Sequence, residues 1–185
     1  MIQIRNASMS DAKDILKIYE YYVLNTAITF DIKVPSIKEF EDKIINISKD
    51  YPFLVLLDDG IIKGFAYSHA FYGKEAYKYS NELTIYIDHN SLKKGYGKML
   101  YDKLEEILKE KDILNLYACI SKPNGIDKYL DNNSIDFHTR MGYKLVGTFN
   151  DCGYKFNKFY SVVWMEKIIG KHNKKVDWFH LLFMC

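Results

Sequence analysis

Apolar and polar positions alternate over residues 2–5, which predicts a short first β-strand. Ser8 or Ser10 then offers a capping oxygen, and Ile15, Ile18, Tyr19 and Tyr22 recur at helical spacing. A second helix is expected after Pro35, where Ser36 and Glu39 fit a capping box and Ile37, Phe40, Ile44 and Ile47 form a stripe. Residues 52–57 and 61–72 are two apolar runs joined by Asp59-Gly60, the pattern of a β-hairpin. Residues 82–88 alternate again, and Gly97 opens a helix whose Leu100, Tyr101, Leu104, Ile107 and Leu108 share one face. A strand over 113–120, a loop with Pro123, a helix near 133–141 and two strands over 143–149 and 159–168 complete the pattern. The order βααβββαβαββ combines hairpins with at least one βαβ crossover. It predicts an α/β (α+β) domain with one central mixed sheet flanked by helices.

The chain has 185 residues, 48% hydrophobic and 27% charged, which suits one folded domain and excludes disorder, collagen and coiled coil. No internal repeat or linker precedes Ile169, so the domain spans 1–168 and a tail of unassigned role spans 169–185. The 26 basic and 24 acidic residues nearly cancel, and all the basic ones except Arg5 and Arg140 are lysine. That balance argues against a nucleic-acid binder recognised by bulk charge. Cys119, Cys152 and Cys185 lie far apart with no CxxC pair or Cys/His cluster, so neither a metal site nor a disulfide scaffold is expected. No apolar stretch approaches the ~18 residues needed to cross a bilayer, and a cytoplasmic protein is the default expectation. Aromatics reach 16%, most of them at positions whose periodicity predicts core.

Chemistry concentrates in residues 85–98, which read as strand, loop and helix start. Gly95 and Gly97 allow a tight turn that leaves backbone N–H groups pointing outward at a helix N-terminus. Such a concavity suits a phosphate or pyrophosphate, and Lys93, Lys94 and Lys98 add positive charge around it. The segment alone fits equally a glycine-rich turn with solvated lysines. It lacks the spacing of a Walker A loop and the third glycine of a Rossmann fingerprint.

The segment resembles motif A of the GNAT acetyltransferases, whose glycine loop holds the pyrophosphate of acetyl-CoA. Around it, Asn25 to Phe30 with Pro35, Tyr51 to Val55, Glu82 to Ile87, Asn133-Ser134 with Phe137-His138, Met141 to Tyr143 and Gly153 to Phe156 resemble the phosphinothricin N-acetyltransferase-like branch. These segments occur in that branch's order and cover roughly residues 2–168. The resemblance implies a GNAT fold, with a largely antiparallel twisted sheet, and acetyl transfer from acetyl-CoA to a primary amine. By the family's pattern, the main chain around Ile85, Tyr86 and Ile87 faces the pantetheine arm. The amides of Lys93, Lys94, Gly95, Tyr96, Gly97 and Lys98 cradle the pyrophosphate, and the helix with Arg140 closes the other side. Leu92 stands where the motif usually has Gln or Arg, and Asp131 where many relatives have a cofactor-contacting Asn. An apparent insertion over 123–130 precedes Asp131, leaving Asn132 or Asn133 as its substitute. Asn157-Lys158-Phe159 replaces a common Gly-Arg-Trp.

An amine must be neutral before it attacks a thioester, so a carboxylate is needed to take its proton. Glu82 matches the family's proposed general base, and its bland alternative is an exposed carboxylate at a strand start. His138 falls where many GNATs carry the tyrosine that protonates the departing thiolate; its alternative is a helix histidine satisfied by a carbonyl. His69, His89, His172 and His180 read as structural or solvated, and Cys119 as a core thiol with no partner for a ping-pong route. Phe30, Tyr72, Tyr77 and Tyr79 are expected to wall the acceptor pocket, with Lys155 pairing an acceptor carboxylate or phosphinate. The expected reaction is direct transfer in a ternary complex to a small amino-acid-like amine, with no metal, nucleic acid or membrane involved. A GNAT acting on a peptide amine or an aminoglycoside, and a silent acyl-CoA-binding module, are the rivals. Lys74 and Lys78 against Glu75 in the loop 71–80 disfavour a polycationic acceptor. A homodimer is expected from the resemblance alone.

Overall fold

The computed structural model describes residues 1–172, so the expectation of a separate tail falls mostly, from Asn173 on, outside the described residues. The strands are β1 (Ile2–Asn6), β2 (Phe53–Asp58), β3 (Ile61–Ala70), β4 (Ser80–Ile87), β5 (Asn115–Lys122), β6 (Lys144–Lys155) and β7 (Lys158–Ile168). The helices are α1 (Ala12–Asn25), α2 (Ile37–Ser48), α3 (Tyr96–Glu110) and α4 (Asn133–Arg140), in the order the periodicity predicts. Local chemistry explains several boundaries. Ser36 Oγ accepts from Glu39 N (3.2 Å) while the Glu39 carboxylate accepts from Ser36 N (2.7 Å), the reciprocal box that starts α2. Asp59 (φ 49°) and Gly60 (φ 78°) both adopt left-handed backbone, the twist a two-residue hairpin turn needs.

The seven strands form one sheet in the order β1-β2-β3-β4-β5-β7-β6, and only the β4–β5 pair is parallel. The crossover between those two strands is α3, whose Leu100, Leu104 and Leu108 pack on Leu54, Leu83, Leu116 and Val163 on one face. On the other face α1 and α2 bury Ile15, Tyr19, Phe40 and Ile44 against Phe53, Val55, Phe65 and Tyr67. Each such fully buried side chain contributes roughly 1.5–3 kcal/mol of transfer free energy. Together α1 and α2 roof the β2–β4 half of their face. Over the β5–β7–β6 half the covering elements are the segment around Phe30 and the loop 123–132. There Ala27, Leu130 and Tyr160 form a third small core, with Tyr129 stacked on Phe156.

One irregularity positions everything that follows. β4 and β5 pair only at Ser80–Asn115, Asn81–Leu116 and Glu82–Tyr117, although β4 runs on to Ile87 and β5 to Lys122. Beyond Glu82 the two parallel strands diverge, and the sheet opens into a fork.

Candidate active site

Main-chain direction in β4 follows from its hydrogen bonds. Ser80 O accepts from Phe71 N and Asp88 N donates to Lys63 O, so even-numbered residues face β3. Tyr79 O accepts from Leu114 N and Asn115 N, so odd-numbered residues face β5. The period-two alternation therefore turns the peptide groups of Ile85 and Ile87 into the fork, where β5 no longer meets them. The Tyr22 hydroxyl donates to Ile87 O, which leaves the N–H groups and the Ile85 carbonyl for an extended amide-bearing ligand.

The loop after β4 is held by Asp88, whose side chain accepts from Asn90 N (3.1 Å) and Ser91 Oγ (3.1 Å). Lys93 (φ 61°) and Gly95 (φ 82°) are left-handed, and α3 begins at Tyr96, one residue before the expected opening at Gly97. Met99 N bonds to Gly95 O (3.1 Å), so the earlier amides of the turn are the orphan donors of a helix start. A Cβ on Gly97 would lie 3.1 Å from the Phe137 ring, so a larger residue there would push that ring back by a few tenths of an ångström. These features fit a pyrophosphate: free N–H groups, a positive helix end, and exposed Lys93, Lys94 and Lys98. Lys98 is already paired with Asp102.

A cavity of about 250 Å³ runs through the fork, and its walls come from both faces of the sheet. Tyr101, Ser134 and His138 line it on the α3–α4 side; Thr29, Phe30, Tyr67 and Glu82 line it on the α1 side. Glu82 stands at the apex, in the last β4–β5 pair. Burial holds its carboxyl above the ordinary carboxylate range, opposed by the neighbouring His69. His69 is its direct cross-strand partner on β3, with Nε2 3.9 Å from Oε2. His138 accepts from the Tyr101 hydroxyl at Nε2 (2.9 Å), while its Nδ1–H donates to Ser134 O (2.7 Å). Burial pushes the His138 imidazole down to about 4, so it is neutral at neutral pH, and the buried Tyr101 phenol is pushed well up.

The structure brings several of the expected site residues to the cavity and leaves others outside it. Glu82, Ile85, Tyr86, His138 and Phe30 line the cavity. Tyr86 lies on the α1 side of the sheet and not on the α3 side, because its even position turns the ring among Tyr19, Tyr22 and Phe65. The Tyr96 side chain is likewise withdrawn from the loop surface: it is buried, with its hydroxyl on Asp58 (2.6 Å), and only its amide belongs to the turn. Tyr72 and Tyr77 are exposed beside the mouth and pack on Phe71, which stacks on Tyr117; they do not wall the cavity. Tyr79 sits at the closed end of the fork, under Lys78. Asn133 is exposed and bound to Asp131, and Arg140 is exposed in the last turn of α4. Lys155 is buried and donates to Thr29 O (2.8 Å), one residue from Phe30.

Two residues read as inert belong to the site. Cys119 is not a core thiol but an exposed residue that lines the cavity, its thiol pushed up to about 11 by desolvation and the Glu82 charge. His69 is not simply solvated but faces the apex carboxylate. The even-odd pattern of β4 was the available signal for neither, because each depends on which residue a partner strand sets opposite it. Among the described residues, no group of three His, Cys, Asp or Glu side chains is placed to hold a metal ion.

With this geometry established, comparison with known proteins is specific. The acetyltransferase (GNAT) domain family matches residues 4–164. A phosphinothricin N-acetyltransferase of Streptomyces coelicolor is 30% identical over 170 residues, covering 90% of this chain and 95% of that protein. An L-methionine sulfoximine/L-methionine sulfone acetyltransferase of Salmonella typhimurium is 24% identical over 170 residues, covering 91% and 95%. Among solved structures, a GNAT superfamily phosphinothricin acetyltransferase from Sinorhizobium meliloti in complex with acetyl-CoA superposes with a TM-score of 0.83 at 28% identity, covering 91% of this chain and 89% of that one.

Proposed function

The chain belongs to the GNAT acetyltransferase family, and on that premise we propose that it moves an acetyl group from acetyl-CoA directly to the primary amine of a small amino-acid-like acceptor. The observation that carries this reading is the cavity that passes through the β4–β5 fork with Glu82 at its apex. One face offers main-chain groups and a phosphate cradle for the thioester donor; the other offers a carboxylate in an aromatic pocket for the amine. Phosphinothricin and methionine sulfone or sulfoximine, the acceptors named for the relatives above, are the first candidates.

The chain's own groups divide the work. An alkyl ammonium is about 99% or more protonated at pH 7, and Glu82 takes its proton. The raised carboxyl of Glu82 makes it a stronger base than a solvated carboxylate. The donor to the departing sulfur is the Tyr101–His138 pair and not His138 alone, because both imidazole nitrogens are already engaged. The Tyr101 O–H stays protonated and can turn from Nε2 toward the sulfur, while His138 fixes its position. Lys155 keeps two N–H donors beyond the one held by Thr29 O and faces an anionic group of the acceptor. Cys119 takes no part, since its thiol is far from ionised at neutral pH.

The exposed Lys74 and Lys78 beside the mouth disfavour a polycationic aminoglycoside. The free thiols of Cys119 and Cys152 suit a reducing cytoplasm. Leu145, Val146, Phe149, Tyr154 and Phe159, exposed on the β6–β7 hairpin, supply apolar surface for a homodimer, which sedimentation would measure. The function is tested by acetyl-CoA-dependent acetylation of amino acids and their sulfone, sulfoximine and phosphinate analogues. Acetylation of one or more supports it. A protein that binds acetyl-CoA in a thermal-shift assay but turns over none is the silent module instead.

A further inference from the structure

We propose that His69 is the second half of the base: it grips the acceptor amine together with Glu82 and carries the amine's proton out to solvent. This rests on the reading of Glu82 as the base and goes one residue beyond it.

The tautomer comes from one contact. His69 Nδ1 lies 3.0 Å from Ala70 O, and a carbonyl only accepts, so Nδ1 carries the hydrogen. In the neutral ring Nε2 is then a bare lone pair, 3.9 Å from a carboxylate oxygen of Glu82. Two acceptors at that separation make no bond with each other. A donor nitrogen about 2.8 Å from each would subtend an angle of about 90° between them, close to what an ammonium group spans. The gap therefore fits one –NH3+ group, or one water before the acceptor arrives. The register holds it in place, since His69 and Glu82 are direct partners across β3 and β4.

Exposure sets the direction of flow. The His69 side chain is 38% exposed and that of Glu82 20%, so the imidazole is the outer of the two groups. The groups facing the pair are Tyr67 along β3, Tyr117 across from Glu82 on β5, and Cys119 and Tyr101, which feel the Glu82 charge. Burial holds the Tyr101 phenol and the Cys119 thiol protonated, so the proton accepted by Glu82 finds its outlet at Nε2.

The balance is complete. The ammonium has three N–H bonds and the amide product one. The first proton breaks from nitrogen, forms an O–H on Glu82, then an N–H at His69 Nε2, and leaves from the imidazolium to water. The second breaks from nitrogen and replaces the proton that the Tyr101 hydroxyl gives to the departing sulfur of CoA. No oxidant or further reactant is needed.

The test compares His69→Gln, His69→Ala and Glu82→Gln with methionine sulfone as acceptor, or whichever amine the acetylation screen identifies. His69→Gln keeps a hydrogen-bonding side chain that cannot be protonated. It is expected to lower kcat about 10-fold, leave the acetyl-CoA KM unchanged, and move the acidic limb of the kcat/KM profile to higher pH, because burial of Glu82 is then unopposed. His69→Ala is expected to regain turnover as imidazole is added, which a purely structural role would not produce. Wild-type kcat and an unmoved acidic limb in His69→Gln, with no imidazole response in His69→Ala, would overturn the proposal. Loss of turnover in Glu82→Gln beside a normal His69→Gln sinks this inference alone. Full turnover in Glu82→Gln sinks the base reading beneath it.

Discussion

The two sides of the β4–β5 fork offer different kinds of group to a ligand. On the α3 side they are mostly backbone: the peptides of Ile85 and Ile87 and the amides of the turn before α3. On the α1 side they are side chains: Glu82, His69, Phe30, Thr29 and the aromatic rings near them. A backbone site tolerates substitution, which is why Leu92 can replace a polar motif residue without dismantling the cradle. A side-chain site changes with each substitution, and the relatives carry the names of different acceptors, phosphinothricin in one and methionine sulfoximine or sulfone in another. The difference teaches where the chain's individuality lies.

The largest expected effect breaks one side only. Glu82→Gln should lower kcat at least 100-fold while acetyl-CoA binding, followed by thermal shift, is retained; concurrent loss of both would mean the two sides are not separable. Next come two glycines that should act in opposite ways. A Cβ at Gly153 would lie 2.1–2.7 Å from three ring atoms of Phe30, so Gly153→Ala must displace a wall of the acceptor pocket. Steady-state kinetics should show the acceptor KM raised about 10-fold and the acetyl-CoA KM unaltered. Gly95 has open space for a Cβ but a φ of 82°, so Gly95→Ala strains the turn instead of filling a contact. Relaxation of that turn should raise the acetyl-CoA KM about 5-fold and spare the acceptor.

The smallest effect concerns stability. His138 is 3% exposed and favours its neutral form in the fold, at about 4 against an ordinary 6.5. The unfolded chain therefore takes up this proton first as pH falls. Its contribution, on the order of 3 kcal/mol, is fully present above about pH 6.5 and is lost as pH falls toward 4. Calorimetry between pH 7 and 4.5 should show Tm falling across that window, and a flatter dependence in His138→Gln.

How much of this was legible in the sequence follows the same divide. The capping box of Ser36 and Glu39, the Asp59-Gly60 hairpin and the glycine turn before α3 are local signals, and each element lies within one residue of where its pattern predicts. The fork is not local: it exists because β5 leaves β4 after Tyr117, and no spacing within either strand records that departure. The same holds for Tyr101 with His138, 37 residues apart, and for His69, whose role depends on the register that sets it opposite Glu82. Tyr72 and Tyr77 show the converse error, since pocket-like chemistry in a loop does not say which way the loop faces.

The central claim is that donor and acceptor meet at once, one from each side of the fork, with no acetyl group resting on the protein. Initial rates measured over a grid of acetyl-CoA and acceptor concentrations test it most directly. The account predicts double-reciprocal lines that intersect, with the pattern unchanged in Cys119→Ser. Parallel lines, together with an acetyl adduct on Cys119 when acetyl-CoA is supplied alone, would contradict it.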